Sequence, residues 1–295
     1  MRIAVSGSSG LVGSSLVTAL HDARQDVAPL VRAAGSGTDG IPWDVVAGPD
    51  PGALEGVGAV VHLAGENIAD GRWSEARKQR IRDSRVEGTR GIAAALARMQ
   101  TPPGVLVCAS AIGFYGDRGE EVLREDSAPG RGFLPEVCQA WEGAADPARE
   151  AGIRVVHLRF GIILSAEGGA LAKMLLPFRM GLGGKIGSGA QYMSWITLDD
   201  VVGSILHALQ TEGLEGPVNA VAPEPVTNRE FTKALGRVLS RPTLFPLPGF
   251  AAGLVFGEMA DELLLASTRV DPARLRDTGY TFRHPDLEPA LRHLL

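Results

Sequence analysis

The sequence predicts an α/β protein: a doubly wound parallel sheet followed by a smaller C-terminal α+β domain. Three observations carry that prediction. Short, Val-rich apolar runs alternate with longer helical stretches through the first half of the 295-residue chain. That rhythm changes after about Ser165. Gly supplies 38 residues, about 13 % against a usual share of roughly 7 %, with no collagen-like period. An excess of this kind serves tight turns and close backbone approaches.

Taken in order, Ile3–Ser6, Val27–Val31, Ala59–Leu63, Val105–Ala109 and Arg154–Phe160 read as strands buried on both faces, each a brief apolar run bounded by turn residues. Between them Leu11–Asp22, Ser74–Arg98 and Leu134–Ala151 read as helices. Such alternation calls for a parallel sheet covered on both faces. Past Ser165, a helix with a Gly-rich end is expected over Gly168–Gly184, a helix over Leu198–Gln210 and a strand at Pro217–Val221. A further helix over Asn228–Leu239 has Thr227 as its cap. The Pro-rich Arg241–Pro248 segment precedes short helices near Phe250–Ala266 and Asp286–Leu294.

A net charge of −5 argues against a broad nucleic-acid footprint. The longest apolar stretch, Leu247–Gly257, is too short and too rich in Gly to cross a membrane, and Gly7–Gly10 interrupts any signal-like N-terminal run. Cys108 and Cys138 stand in no metal-binding or redox spacing, which fits a reduced, cytoplasmic protein; no metal site is expected. The expected partner is a small molecule, and the chain is compatible with a homodimer.

The most informative segment runs from Ile3 to Gly13, where a strand enters glycines three apart and a helix follows. In a Rossmann-type fold Gly7 allows the sharp turn, Gly10 lets amides approach a pyrophosphate and Gly13 lets helix and strand pack closely. Ser9, Leu11 and Val12 complete this expected dinucleotide loop. Arg32 lies 19 positions after Gly13, where an acidic residue would hold the ribose 2′-hydroxyl of NAD. A guanidinium there can instead hold a 2′-phosphate, which favours NADP(H); the alternative is a solvated loop arginine. The expected division is therefore a cofactor domain over 1–165, with a return strand near 217–221, and a substrate lid and C-terminal domain over 166–295.

These residues resemble the extended short-chain dehydrogenases/reductases, the nucleotide-sugar epimerase and dehydratase group. Gly7-x-x-Gly10-x-x-Gly13 is similar to its cofactor loop, and His62-Leu63-Ala64-Gly65 to its fourth-strand motif along the cofactor. Ala109 to Gly116 is similar to its segment ending in Tyr-Gly, and Ser194 to Asp200 to its Tyr-Ile-His-Val-x-Asp stretch. Gly65-Glu66-Asn67-Ile68, Arg72-Trp73, Ile81 to Thr89, Gly168 to Leu171, Phe178 to Gly184 and Asn219 to Pro223 resemble an atypical branch, the epimerase family proteins. That branch ends in a domain of unknown function, which the stretch from about Pro246 to Leu294 resembles. The resemblance covers essentially the whole chain and implies an NADP(H)-dependent oxidoreductase or epimerase acting on a small polar substrate such as a nucleotide sugar. A non-catalytic NADPH-binding or redox-sensing protein is the alternative.

The alternative has weight because the group's chemistry needs a Tyr and a Lys four apart on one helix, the Lys lowering the Tyr pKa. By position Cys138 replaces that Tyr, Glu142 replaces that Lys, and Ala111 stands where the resemblance places a Ser or Thr. A thiol beside a carboxylate is a poor thiolate. Tyr115, Cys138 and Glu142 remain the catalytic candidates, with Tyr115 equally readable as packing beneath the site.

Arg72, Arg77, Lys78, Arg80, Arg82, Arg85 and Arg90 form a basic stretch, mostly a solvated helix face. Arg85, then Arg80, are its candidates for a phosphate or nicotinamide-side contact. His157 reads as a packed histidine; Trp73, Trp141 and Trp195 read as core or pocket wall. Arg179, Lys185, Gln191 and Tyr192 would meet a polar ligand if Gly168–Trp195 covers the cleft, and otherwise belong to a glycine-rich closing loop.

Overall fold

In the computed structural model, residues 1–32 and 40–295 are described. The first part of the chain forms β1 (Arg2–Ser6), α1 (Leu11–Asp22), β2 (Asp26–Arg32), β3 (Ile41–Asp44), β4 (Gly48–Pro49), β5 (Ala59–His62) and α2 (Glu75–Ala97). There follow β6 (Val105–Ala111), β7 (Val122–Leu123), α3 (Phe133–Gly143), α4 (Asp146–Glu150), β8 (Arg154–Phe160) and β9 (Ile162–Leu164). The remainder gives α5 (Gly169–Arg179), β10 (Tyr192–Met193), β11 (Trp195–Thr197), α6 (Leu198–Gln210), β12 (Gly216–Ala220), β13 (Val226–Thr227), α7 (Asn228–Leu239), α8 (Gly249–Phe256), β14 (Arg269–Val270), α9 (Ala273–Asp277) and α10 (Leu287–Leu294).

Eight strands make one sheet in the order β12-β8-β6-β5-β1-β2-β3-β4. Every pair is parallel except β3 with β4. The two-residue alternation of each strand sends its side chains into two separate cores. Ile3, Val5, Val61, Val107 and Leu158 face one layer, closed by Leu16 and Leu20 of α1 and by Val201, Ile205 and Leu209 of α6. Ala4, Leu30, Val60, Leu106 and Val155 face the other, closed by Ile92 and Leu96 of α2 and Ala148 of α4. Both faces are dry, which is why these strands read as continuous apolar runs.

Several expectations change. The helix expected over Leu134–Ala151 is two helices, broken at Ala144–Ala145 where Pro147 follows and supplies no amide donor. The hairpin of β3 and β4 was not expected; Asp44 Oδ1 turns it by accepting the Val46 and Ala47 amides. The expected strand at 217–221 is β12, and with α6 it joins the main sheet and its core. The helix expected over Gly168–Gly184 stops at Arg179, and Phe250–Ala266 resolves into α8 and a π-helical turn over Ala260–Leu265.

A third core gathers Leu171, Leu175 and Phe178 of α5, Trp195 of β11, Phe231 and Leu235 of α7, and Leu291 of α10. Helix α7 starts with the expected Thr227 cap, completed by Glu230, whose carboxylate accepts the Thr227 amide at 2.7 Å. The two-residue strand β14 ties the late chain to the early one by pairing in parallel with β7, and β10 pairs with β13 within the late part. Among the described residues no helix is long and apolar enough to cross a membrane.

Candidate functional site: a nucleotide cleft with a sealed relay helix

The carboxyl ends of β1, β2 and β5 come together at the glycine turn. Gly7 has φ +69°, and a Cβ there would sit 2.9 Å from the Ala64 amide nitrogen. At Gly13 a Cβ would lie 2.0 Å from the Gly7 carbonyl oxygen, so only glycine lets α1 start this close to the strand. Gly10 precedes α1, and no side chain caps the helix. Its first amides and its positive dipole end therefore face the exposed Ser9–Gly10 side of the turn, the arrangement that binds phosphate. Leu11 and Val12 are half-buried at this helix start. Arg32 is exposed at the carboxyl end of β2, beside β1.

Ser6 holds the two loops together. Its hydroxyl accepts the Leu63 and Ala64 amides at 3.1 and 3.3 Å, so its own proton goes to His62 Nδ1 at 2.6 Å. His62 is fully buried, and burial lowers its pKa to about 4. Leu63, Ala64 and Gly65 then open onto the cleft, Gly65 exposed. Arg85 from α2 closes that side: a Cβ on Gly65 would touch its guanidinium at 3.5 Å. The same guanidinium lies 5.1 Å from the Trp141 ring and donates to the Ile81 carbonyl at 3.0 Å. Arg80 sits outside it, exposed, 3.9 Å from Glu66. The structure thus brings Arg85 to the cleft wall and leaves Arg80 at its rim.

The catalytic candidates are placed differently. Cys138 is buried, and burial followed by the Glu142 carboxylate pushes its thiol up to about 12. Glu142 is clamped by Arg159, Nε to Oε1 and Nη2 to Oε2 at 2.8 Å each, and accepts the Ser110 hydroxyl at 2.7 Å. Arg159 also donates to the Tyr115 hydroxyl at 2.9 Å, and that hydroxyl donates to Asn219 Oδ1 at 2.6 Å. Tyr115 is fully buried, and burial pushes its pKa up to about 12. Two readings of Tyr115 were open, donor or packing; its environment is that of packing. Arg159 has no role in the sequence reading, and Asn219 enters it only as part of the Asn219 to Pro223 motif. The available signal was a charged residue inside a strand buried on both faces, which requires a partner.

Of the lid candidates, Gln191 is buried and spends its amide on the Ile186 and Leu264 carbonyls at 3.1 and 2.9 Å. Lys185 Nζ donates to the Ser188 carbonyl, and Arg179 is exposed with its own carbonyl taken by Arg241. Tyr192 is half-buried under Arg269. None of the four is aimed at the glycine turn by these contacts; what meets it is the Gly168–Gly169 turn, whose added Cβ atoms would lie 3.5 and 3.6 Å from Leu11. Lys173 anchors α5 on the other side by donating to the Ala69 carbonyl at 2.9 Å. His157, Trp141 and Trp195 are buried as expected, and Trp73 is half-buried against Phe133.

Comparison with known proteins agrees with this geometry. Residues 3–221 match the NAD dependent epimerase/dehydratase family, and residues 247–294 match a domain of unknown function, DUF1731. The epimerase family protein Mb2239 of Mycobacterium bovis is 45 % identical over 290 residues, covering 98 % of this chain and 96 % of that protein. The solved structure of the human epimerase family protein SDR39U1, isoform 2, determined with NADPH, superposes with a TM-score of 0.92 at 35 % identity, covering 100 % of this chain and 99 % of that one. A nucleoside-diphosphate sugar epimerase from Corynebacterium glutamicum superposes at 0.83 with 37 % identity, over 100 % of this chain and 58 % of that one. With its family match extending over most of the chain and relatives of this closeness along its full length, the protein belongs to the NAD dependent epimerase/dehydratase family, in the branch that carries the C-terminal domain of unknown function.

Proposed function

We propose that the chain binds NADPH across the carboxyl ends of β1, β2 and β5 and works as an NADP(H)-dependent oxidoreductase or epimerase-like protein on a small polar substrate, such as a nucleotide sugar. The observation that carries this is the uncapped start of α1 packed against Gly7 at a distance only Gly13 permits. Arg32, exposed at the end of β2, supplies the charge for a 2′-phosphate. Arg85, between Gly65 and Trp141, supplies the phosphate or nicotinamide-side contact in this reading. The NADPH in the human relative's structure supports the same choice of cofactor.

Hydride transfer to a carbonyl also needs a proton, and the side chains on α3 do not offer one near neutral pH. The Cys138 thiol is buried with a strongly raised pKa, and Glu142 is spoken for by Arg159 and Ser110. With the Tyr115 hydroxyl buried between Arg159 and Asn219 as well, this reading routes any relay through bound water or the substrate itself. That same observation favours a second reading, a protein that binds NADPH without turnover and reports cofactor state to a partner.

Titration with NADPH and NADH, followed by nucleotide fluorescence, tests the binding reading. Arg32→Ala should weaken NADPH by about 1–3 kcal/mol and spare NADH; equal loss for the two nucleotides sinks the assignment of Arg32. Incubating the NADPH complex with carbonyl compounds and nucleotide sugars separates the two readings. Loss of nicotinamide absorbance with any of them supports catalysis, and none across the panel supports the binding protein.

A further inference from the structure

Away from the residues assigned to the cleft, Asp199, His284 and His293 meet. Among the described residues they are the one group of His, Cys, Asp or Glu side chains whose three donor atoms lie within 4.8 Å of one another. Asp199 stands in the first turn of α6, His284 in the segment before α10, and His293 in the last turn of α10.

The convergence is built by the neighbouring residue. Asp200 is buried and accepts the Tyr280 hydroxyl at 2.9 Å, the Arg283 amide at 2.8 Å and the His284 amide at 3.0 Å. Those bonds fix the backbone that presents His284. The two imidazoles stack with centroids 4.2 Å apart and planes 22° from parallel. Each turns Nε2 toward Asp199 Oδ2, His293 at 3.1 Å and His284 at 3.7 Å. Only the first is a hydrogen-bond distance, so the carboxylate serves one ring and leaves the other aimed at it from out of range.

A four-coordinate ion with bonds of about 2.0–2.2 Å holds its donor atoms roughly 3.3–3.5 Å apart, and the two nitrogen–oxygen separations bracket that range. Two neutral imidazoles and a carboxylate are the donors that suit zinc and its neighbours, with a fourth position left to water. The site opens on a groove of about 400 Å³, where the carboxylates of Asp22 and Glu167 add negative charge and Arg283 opposes them. We propose that Asp199, His284 and His293 form a divalent transition-metal site that clips α10 to α6.

The test uses the full chain, stripped with a chelator and titrated with zinc against a chromophoric competitor, then with cobalt for the visible spectrum of a four-coordinate ion. One ion per chain and a rise in melting temperature with zinc are expected. His293→Gln and Asp199→Asn should each weaken binding by at least about tenfold, since even a residue that only supports a ligand costs that much. His21→Gln, at an exposed histidine outside the cluster, should leave affinity unchanged. All substitutions lie on partly or fully exposed side chains, and circular dichroism checks that each variant folds. Zinc affinity equal in the wild type and in a folded His284→Gln/His293→Gln double variant overturns the proposal.

Discussion

Arg159 carries a full charge in a strand that is 3 % exposed there, stacked 3.5 Å from the Phe114 ring and bonded to Glu142 through two nitrogens. Removing the carboxylate leaves that cation buried and unpaired. Glu142→Ala should lower unfolding free energy by about 3–5 kcal/mol, measured by denaturant titration. A loss below about 1 kcal/mol would mean that water reaches Arg159 and that the pair is dispensable. The residues of the glycine turn were legible in the sequence because the contact they make is local: Gly13 meets Gly7, six positions away. Arg159 was not, because its partners Glu142, Tyr115 and Glu125 come from separate elements, and a lone Arg in a Val-rich run gives no spacing to read. The ligands of the proposed metal site escaped for the same reason, since Asp199 lies far along the chain from either histidine.

Helix α3, which presents Cys138 and Glu142, begins at Gly132 with no cap from its own segment. The acceptor is Glu262, 129 and 128 residues away in sequence from the two amides it takes, Phe133 at 2.9 Å and Leu134 at 2.8 Å. A carboxylate at a helix start also meets the positive end of the dipole. Glu262→Ala should cost about 0.5–2 kcal/mol in thermal or chemical unfolding, and Glu262→Gln less, because it keeps one acceptor. No change in either variant would show that solvent satisfies those amides equally well. Strands and long helices were readable because burial on two faces and helical spacing leave a periodic record. Two-residue strands such as β7 and β14 leave none, and the break after Gly143 depends on where Pro147 falls rather than on any change in hydrophobicity.

Across the whole molecule, two histidines are buried on the sheet in neutral form. Burial lowers both His62 and His157 to about 4 from an ordinary 6.5, the Glu142 and the Arg149 and Arg159 charges around His157 acting in opposite directions. Below pH 6.5 the unfolded chain takes up protons at these positions while the folded one does not, so stability is complete above that pH and falls as pH drops toward 4. Each histidine should remove about 2 kcal/mol between about pH 7.5 and about pH 5. His157→Gln should flatten the pH dependence of denaturant unfolding by that amount; an unchanged slope would mean that His157 protonates freely in the folded state. The doubly wound parallel sheet was within reach of the sequence, since alternating strands and helices imply it. The third core was not, because it joins α5, α7 and α10, three helices well separated along the chain, with α5 and α10 more than a hundred residues apart. The ties between the late and early chain have a consequence for how such proteins can be cut and recombined. Glu262 closes the start of α3, β14 lies beside β7, and Glu258 pairs with Lys78 at 2.7 Å. A tail stitched in at so many points is no portable module: a graft from a relative would have to bring the matching helix with it, or leave the nucleotide-facing wall open at the seam.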